Sequence, residues 1–157
     1  MVENAELSQT VNLFGCKNST IVIKGKVNAI TLGSYFHVCM NRHLRLTFVL
    51  PVNCTKTSVL VDSVISSISV TNSPSFALQI TGKAPMIQLD STDSGQIYLS
   101  KDCLDAEITT AKCSSINISL PVEGEEDGVF NEHPVPEMFR TVVVGGKLVT
   151  TAVEHAG

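Results

Sequence analysis

The 157-residue sequence has no tryptophan, and only 5% of its residues are aromatic and 17% charged. No apolar run reaches the roughly 18 residues needed to cross a bilayer, and the first ten residues contain no apolar segment typical of a signal peptide. The net charge of −4 is too small for a disordered chain and has the wrong sign for a nucleic-acid-binding protein. We therefore expect a folded cytoplasmic protein with no membrane span and no nucleic-acid partner.

Sequence signatures of catalysis and metal binding are also missing. The chain has no P-loop and no G-x-G-x-x-G, G-x-S-x-G or H-E-x-x-H motif. Its five cysteines include no C-x-x-C pair, which predicts reduced thiols rather than a disulfide framework or a zinc site; they are Cys16, Cys39, Cys54, Cys103 and Cys113. Another group, His37, Cys39, Met40 and His43, lacks the spacing of metal ligands. We predict a protein that is not an enzyme and holds no metal or cofactor.

β-branched residues are what the chain has in excess. Valine, isoleucine and threonine together supply 44 of the 157 residues, more than a quarter of the chain. Their side chains are restricted at χ1 and pack well on a pleated surface, so they favour strands over helices. A single all-β domain spanning residues 1–157 is predicted.

Short apolar pairs recur along the chain with a fixed period. Their first members are separated by alternating steps of nine and ten residues, so two strands fit in each 19-residue period. The pairs are Val59/Val61, Ile68/Val70, Leu78/Ile80, Ile87/Leu89, Ile97/Leu99, Ala106/Ile108 and Ile116/Ile118. A meander of hairpins does not require a constant spacing between equivalent positions, whereas a chain that coils back above itself does. We predict a right-handed parallel β-helix over residues 11–122, with the apolar pairs stacked inside.

The register is interrupted once. The step from Ile30 to Val59 exceeds the expected step of ten by one full period. Residues 33–52 are therefore either one more coil or an insertion that bulges out of the helix. An extra coil would place Arg42 and Pro51 inside, which costs desolvation of a charge and loss of a ladder hydrogen bond. The bulging insertion is the preferred interpretation.

The C-terminal part has a different composition. Residues 123–136 form an acidic linker, and residues 123–157 together carry a charge of −5. Two β-rich runs then flank Gly145-Gly146, a strong signal for a two-residue hairpin loop. An isolated hairpin is marginally stable in water, and the end of a β-helix leaves apolar residues uncovered. The hairpin and tail, residues 137–157, therefore either cap their own helix or cross to a second copy in a two-fold dimer by strand exchange.

Several segments resemble a known family. The coil sequences concerned run from Ile23 to Lys26, from Asn28 to Thr31, from Gly82 to Pro85 and from Tyr98 to Lys101. The tail is more specific and reads Phe130-Asn131-Glu132, Pro134-Val135-Pro136-Glu137, Lys147-Leu148-Val149-Thr150-Thr151 and Ala156-Gly157. From residue 11 onward the chain resembles the C-terminal (CARP) domain of cyclase-associated proteins. The coil sequences alone also suit the related tubulin-cofactor-C-like domains.

The resemblance implies a right-handed β-helix that exchanges its C-terminal hairpin in a dimer and binds monomeric actin, with preference for the ADP-bound form. It also implies promotion of nucleotide exchange and monomer recycling, in association with the cytoskeleton. The implied partners are actin monomer, cofilin-bound actin and a second copy of the chain. The functions of the helical domain, the proline-rich segments and the WH2 motif of family members are not carried over. Residues 33–52 do not belong to the family pattern and are either a lineage-specific insertion or translated non-coding sequence.

The predicted binding residues lie at exposed corners. Lys26 and Lys83 occupy equivalent corners three periods apart and suit a basic strip facing an acidic partner. The alternative for each lysine is a solvated corner charge without a partner. The actin-binding candidates are Lys24, Lys26, Lys83, Tyr98 and Lys101 and, by resemblance, His155 and Gly157. The dimerisation candidates are Phe139, Val142, Val144, Leu148, Val149 and Val153.

The main alternative function is GTPase activation of the tubulin-cofactor-C type. That chemistry needs an arginine near the phosphate. The regular coils contain none, because Arg42 and Arg45 lie in the insertion and Arg140 lies in the hairpin. Polysaccharide cleavage, another activity of right-handed β-helices, needs carboxylates clustered on one outward face, and here they are scattered. Actin binding is therefore the preferred function.

Overall fold

The strands of the structure follow the apolar alternation of the sequence. The computed structural model describes residues 2–5, 8–39, 47–52, 54–126 and 128–153, with the side chains of 8–33, 54–126 and 128–153. The strands in this part of the chain are β1 Val2–Ala5, β2 Thr10–Leu13, β3 Lys17–Leu32, β4 Ser34–Cys39, β5 Thr47–Val52, β6 Thr55–Thr71, β7 Phe76–Ile80, β8 Met86–Asp90, β9 Asp93–Tyr98, β10 Glu107–Ala111, β11 Ser114–Pro121, β12 Phe130–Pro134, β13 Phe139–Val144 and β14 Lys147–Ala152. A 3₁₀ turn at Lys101–Cys103 is the one helical element of the described residues. The prediction of an all-β protein is confirmed.

Parallel pairing between strands one period apart builds a β-helix. Leu78 of β7 pairs with Val59 of β6 on one side and with Ile97 of β9 on the other, each one period away in the sequence. Ile68 of β6 pairs with Ile87 of β8 at the same offset. β3 and β6 pair across two periods, and each of these long strands bends so that its two halves have different neighbours. The predicted β-helix is confirmed by this register.

The final coil is two positions longer than the period. Ile108 pairs with Ile87 and Ile118 pairs with Ile97, so each offset is one period plus two positions. The even spacing of the apolar pairs predicted a partner two positions earlier on each strand, and that register is wrong. Because the shift is an even number of residues, the same face of each strand still points inward.

The two extra residues lie in an exposed turn. Ala84 N donates a hydrogen bond to Cys103 Sγ at 3.2 Å, which keeps these residues one period apart. Glu107 N donates to Pro85 O at 2.9 Å, so at Glu107 the sequence offset between neighbouring coils already exceeds one period. Residues 104–105 are therefore the addition, and they are exposed. A solvent-facing corner tolerates extra residues that a core strand does not.

Inward side chains form the core of the β-helix. Twenty hydrophobic residues of the described part are at most 4% exposed. The largest fully buried ones are Ile23, Val27, Ile30, Leu32, Val61, Ile68, Val70, Leu78, Ile80, Ile87, Leu89 and Ile97. Burial of one such side chain stabilises the fold by about 1.5–3 kcal/mol. Stacked coils therefore bury the β-branched residues that the sequence has in excess.

One corner of each coil carries a small residue. We call the set Cys16, Cys54, Ser73, Thr92 and Cys113 the inner corner column. Hydrogen bonds at this corner join one coil to the next: Thr55 N, next to Cys54, donates to Cys16 O at 2.8 Å, and Ser73 N donates to Thr92 Oγ1 at 3.3 Å. Cys54 and Ser73 are fully buried, whereas Cys16 and Cys113, at the two ends of the column, are partly exposed.

The insertion leaves the β-helix at this same corner. Gly33 has a φ of +64°, and a Cβ there would come within 2.1 Å of Ser73 Oγ, so the position requires glycine. β4 and β5 then pair antiparallel along their length in a two-stranded sheet of their own. The chain rejoins the helix at Cys54. The side chains of His37, Cys39, Met40 and His43, and those of Arg42 and Arg45, lie outside the described part.

The C-terminal strands depart from the parallel coil. β12 runs antiparallel to β11, with His133 opposite Ile118. β13 and β14 form a hairpin whose loop residues, Gly145 and Gly146, have φ values of +56° and +77°, the left-handed conformation that a type I′ turn requires. Every residue of these two strands is exposed. The described residues contain no helix of the length and hydropathy needed to cross a membrane.

Candidate functional site

Successive coils carry charged side chains at the corner opposite the inner corner column. Lys26 is in register with Ser63, whose Oγ accepts a hydrogen bond from Lys83 N at 3.1 Å. Lys26 and Lys83 therefore lie on either side of the Ser63 coil, with backbones about 10 Å apart. The following coil adds Lys101. We call the surface made by Lys24, Lys26, Asp62, Lys83 and Lys101 the lysine corner, and all five residues are exposed.

Asp62 lies in the middle of the lysine corner and was not identified from the sequence. Its Oδ2 accepts a hydrogen bond from Gly25 N at 2.9 Å in the coil above, and its Oδ1 accepts one from Thr81 Oγ1 at 3.1 Å in the coil below. The carboxylate therefore ties three coils together and places a negative charge among the lysines. The signal was present in the repeat, since Asp62 precedes Thr81 by one period.

A buried thiol holds the backbone beneath the lysine corner. Cys103 Sγ accepts a hydrogen bond from Ala84 N at 3.2 Å and donates one to Ala84 O at 3.5 Å. Burial raises the pKa of the Cys103 thiol, and the nearby charge of Asp105 raises it further, while the Ala84 backbone and Lys83 act in the opposite direction. The thiol therefore stays neutral at physiological pH and spaces the Lys83 and Lys101 coils.

A cleft of about 440 Å³ adjoins the lysine corner. The ring centroids of Tyr98 and Phe130 lie 5.3 Å apart at an interplanar angle of 75°, an edge-to-face contact on one side of the cleft. The lining residues are Gln79, Ile80, Thr81, Tyr98, Leu99, Ser100, Lys101, Asp102, Pro121, Glu126, Gly128 and Phe130. The cleft therefore combines apolar and aromatic surface with one cation, Lys101, and two carboxylates, Asp102 and Glu126.

The cleft contains residues that the sequence analysis missed. Phe130 lies well beyond Tyr98 in the chain and reaches it because β12 folds back antiparallel on β11. Glu126 comes from the loop that precedes β12. The 19-residue repeat carries no signal for either contact, because both residues follow the last regular coil.

A second candidate surface is apolar and lies on the hairpin. Phe139, Val142, Val143, Val144, Leu148 and Val149 are between 40% and 75% exposed. Val143 and Leu148, the two most exposed, are directly opposite each other in the hairpin register. Contiguous exposed apolar side chains of this kind mark interaction surfaces.

Comparison with known proteins places the chain in a family. The family model described as adenylate cyclase associated (CAP) C terminal matches residues 1–155. The chain belongs to the CAP C-terminal family. The family resemblance drawn from the corner and tail sequences is thereby confirmed.

Relatives of this CAP C-terminal domain come from distant organisms. The chain is 41% identical over 157 residues to adenylyl cyclase-associated protein 1 of Bos taurus, covering 100% of this chain and 29% of the relative. It is 40% identical over 157 residues to the Homo sapiens protein of the same name, covering 28% of it. The adenylyl cyclase-associated protein of Dictyostelium discoideum is 38% identical over 155 residues, 99% of this chain and 29% of the relative. The chain thus spans less than a third of the length of the curated relatives it matches.

A solved structure shares the CAP C-terminal fold. The crystal structure of cyclase-associated protein from Cryptosporidium parvum matches with a TM-score of 0.79 and 29% identity, over 98% of this chain and 81% of that one.

The CAP C-terminal fold gathers most of the binding candidates. Lys24, Lys26, Lys83 and Lys101 share one corner, and Tyr98 and Lys101 line one cleft. Val153 is partly buried, and its N–H donates to Met138 O at 2.9 Å, so it closes the base of the hairpin. His155 and Gly157 lie outside the described residues. In the described part, no group of three or more His, Cys, Asp or Glu side chains is placed to hold a metal ion.

Proposed function

We propose that this domain binds monomeric actin, preferentially in its ADP-bound form, and promotes nucleotide exchange and monomer recycling. The observation that carries the proposal is the lysine corner, an exposed set of cations on successive coils beside an aromatic cleft, in a member of the CAP C-terminal family. Complementary charge speeds encounter and fixes the orientation of a protein partner. A rigid β-helix keeps such a surface in one geometry without the cost of ordering it on binding.

The proposed action is binding rather than bond chemistry. Exchange of actin-bound nucleotide requires only that the domain bind the open, nucleotide-releasing conformation more tightly than the closed one. The alternative, GTPase activation, requires an arginine near the phosphate. Among the described residues the only arginine is Arg140, in the exposed hairpin and not at the lysine corner.

The same proposal includes a homodimer. The apolar side chains of β13 and β14 are exposed, and a two-stranded hairpin is marginal on its own in water. A second copy covers them if each hairpin crosses to the other protomer, which gives a closed two-fold assembly. A dimer presents two lysine corners and therefore holds two actin monomers.

The cellular setting follows from the proposed activity. Monomers that leave filaments carry ADP, and cofilin-bound ADP-actin is a proposed partner together with free actin monomer. The domain acts where filaments turn over, in the cytoplasm and at the cytoskeleton.

The decisive experiment is nucleotide exchange on actin monomers loaded with a fluorescent ADP analogue and chased with ATP. Addition of the domain is expected to raise the rate of fluorescence loss, with saturation as the domain concentration exceeds the Kd. A tubulin-linked GTPase assay on the same preparation is expected to show no stimulation. Unchanged exchange, together with no co-sedimentation or pull-down of actin, would rule out the proposed function.

A further inference from the structure

Cys16 and Cys54 are neighbours in the inner corner column. The residues that follow them, Lys17 and Thr55, are register partners in β3 and β6, and Thr55 N donates to Cys16 O at 2.8 Å. Neighbouring strands are about 4.8 Å apart. A disulfide needs a Cα separation of about 4.4–6.8 Å, so the two positions satisfy the first geometric requirement for a disulfide.

The two thiols also share one local environment. Cys54 Sγ donates a hydrogen bond to Leu13 O at 3.4 Å, and Cys16 Sγ donates one to Phe14 O at 3.7 Å. Because Leu13 and Phe14 are consecutive, both sulfur atoms lie beside the same short piece of backbone. Burial raises the pKa of the Cys16 thiol, and the neighbouring Cys54 raises it further.

The other described thiols have no cysteine neighbour of this kind. Cys103 Sγ exchanges hydrogen bonds with the backbone of Ala84. Cys113 Sγ donates to Ala111 O at 3.2 Å, and Thr92 precedes it in the inner corner column. Ser73 and Thr92, the next members of that column after Cys54, cannot form a disulfide.

We propose that Cys16 and Cys54 form a redox-modification site, at which a hydroperoxide converts the two thiols into a reversible disulfide between adjacent coils. The Cys16 thiolate, partly exposed, attacks one peroxide oxygen. The O–O bond breaks, leaving a Cys16 sulfenic acid and, from hydrogen peroxide, hydroxide that becomes water. The buried Cys54 sulfur then attacks the sulfenic sulfur, the S–S bond forms, and the S–O bond breaks to release a second water. Two thiols and one peroxide give one disulfide and two waters.

The accessibility of the two residues assigns their roles. Cys54 is fully buried, so it resolves the sulfenic acid and does not meet the peroxide first. The raised pKa of Cys16 keeps its thiolate fraction small at neutral pH, so the site responds slowly. A small thiol reductant returns the disulfide to two thiols by exchange.

The disulfide closes a covalent loop from residue 16 to residue 54 that contains β3 and the insertion. Its ends are already adjacent in the folded state, so the loop constrains mainly the unfolded chain. Oxidation is therefore expected to raise the Tm by several degrees, roughly 5 °C or more. The inference does not depend on the proposed binding of actin.

Peptide mapping of the full chain tests the proposal directly. Trypsin cleavage after Lys and Arg places each cysteine in a different peptide, with Cys16 in residues 1–17 and Cys54 in residues 46–56. The folded protein is treated with hydrogen peroxide, free thiols are blocked with N-ethylmaleimide in denaturant, and peptides are analysed by mass spectrometry with and without dithiothreitol. The expected product is a 1–17/46–56 cross-link, two hydrogens lighter than the sum of its peptides, which dithiothreitol abolishes.

Two variants make the result specific. Cys113→Ser is expected to retain both the cross-link and the rise in Tm, because its thiol lies at the far end of the inner corner column. Cys16→Ser is expected to lose both while keeping a β-sheet circular dichroism spectrum. The proposal is overturned if Cys16 pairs with Cys39 or only with a second chain, if it proceeds to sulfinic acid while Cys54 remains alkylatable, or if neither residue is oxidised.

Discussion

Gly25 and Asp62, in different coils of the β-helix, are joined by a 2.9 Å hydrogen bond from the Gly25 amide to Oδ2 of the carboxylate. Thr81 Oγ1 donates to the other carboxylate oxygen at 3.1 Å. One exposed side chain thus connects three coils at the centre of the lysine corner. The Asp62 carboxylate stabilises the fold but repels a bound acidic partner, so a substitution at this position separates the two roles.

Replacing Asp62 with asparagine is expected to lower stability and to strengthen partner binding. Asparagine can accept from Gly25 N with Oδ1 and donate from Nδ2 to Thr81 Oγ1, but both hydrogen bonds lose their charge assistance, which costs about 1 kcal/mol of unfolding free energy in urea titration. Removing the negative charge from among the lysines is expected to increase affinity for actin in a fluorescence titration. If the affinity for actin instead decreases together with the free energy of unfolding, the lysine corner affects binding only through the stability of the fold.

The double variant Lys26→Ala/Lys83→Ala is expected to weaken binding to ADP-actin about five- to tenfold, the effect of losing two partly solvated charge contacts. The matched control is Lys56→Ala/Lys112→Ala, which removes the same charge from the opposite corner. Both proteins are expected to unfold at similar urea concentrations. Equal affinity for the two double variants would remove the basis for a binding role of the lysine corner.

The burial and the strand partner of a residue can be predicted from the sequence when that residue belongs to the 19-residue repeat. Stacked positions such as Leu78 and Ile97 were predicted correctly, because the 19-residue period and the inward alternation both require them to be buried. The longer offset in the last coil was not predictable, since the face that points inward is unchanged and Ile108 simply replaces Ala106 as the partner of Ile87.

Residues of the candidate site were predictable only in part. The lysine corner followed from equivalent positions in successive coils, so Lys26 and Lys83 were identified together. The contact between Tyr98 and Phe130 depends on the direction in which β12 returns, which no local pattern encodes. The hydrogen bond from Gly25 N to Asp62 required the bend within β3 to be known in three dimensions.

Polar substitution of the two most exposed hairpin residues, Val143→Ser/Leu148→Ser, is expected to convert the proposed dimer to monomers in sedimentation velocity. These side chains are 71% and 75% exposed in a single chain, so their loss costs little within one protomer. Deletion of residues 138–157 is expected to give the same result. Ile65→Ser, which removes a 43% exposed apolar residue from the β-helix, is the control and is expected to stay dimeric. A dimer that persists in the hairpin variants would place the interface elsewhere.

Stability is expected to fall as the pH rises above about 9, because of Cys103. Burial raises the pKa of this thiol above its ordinary value of 9.0, so between that pH and the raised value the unfolded chain has lost the proton that the folded chain keeps. The unfolded state then binds fewer protons, and the free energy of unfolding decreases with pH. Urea titrations at pH 8 and pH 10 measure the decrease. Cys103→Ala is expected to show a smaller decrease, and an identical pH dependence in both proteins would exclude the thiol as its source.

The insertion is expected to be dispensable for the fold. Ser73 comes three positions after Val70, which is the register partner of Leu32. Deleting residues 34–52 places Cys54 three positions after Leu32. This is the same spacing as that between Val70 and Ser73 in the neighbouring coil, so the shortened coil can close. The described residues of β4 and β5 pair only with each other, and their removal leaves the core ladders intact.

The shortened chain is expected to give the same circular dichroism spectrum and a free energy of unfolding at least as high as that of the full chain, because a shorter connection costs less entropy to close. A deletion of residues 73–91 is the matched control. It removes the same length of chain and keeps the register, since Thr92 takes the place of Ser73 in the inner corner column, but it deletes buried residues such as Leu78 and Ile87. That variant is expected to have a smaller urea m-value and lower stability. Loss of cooperative unfolding in the 34–52 deletion, and not only in the control, would show that the insertion is part of the core.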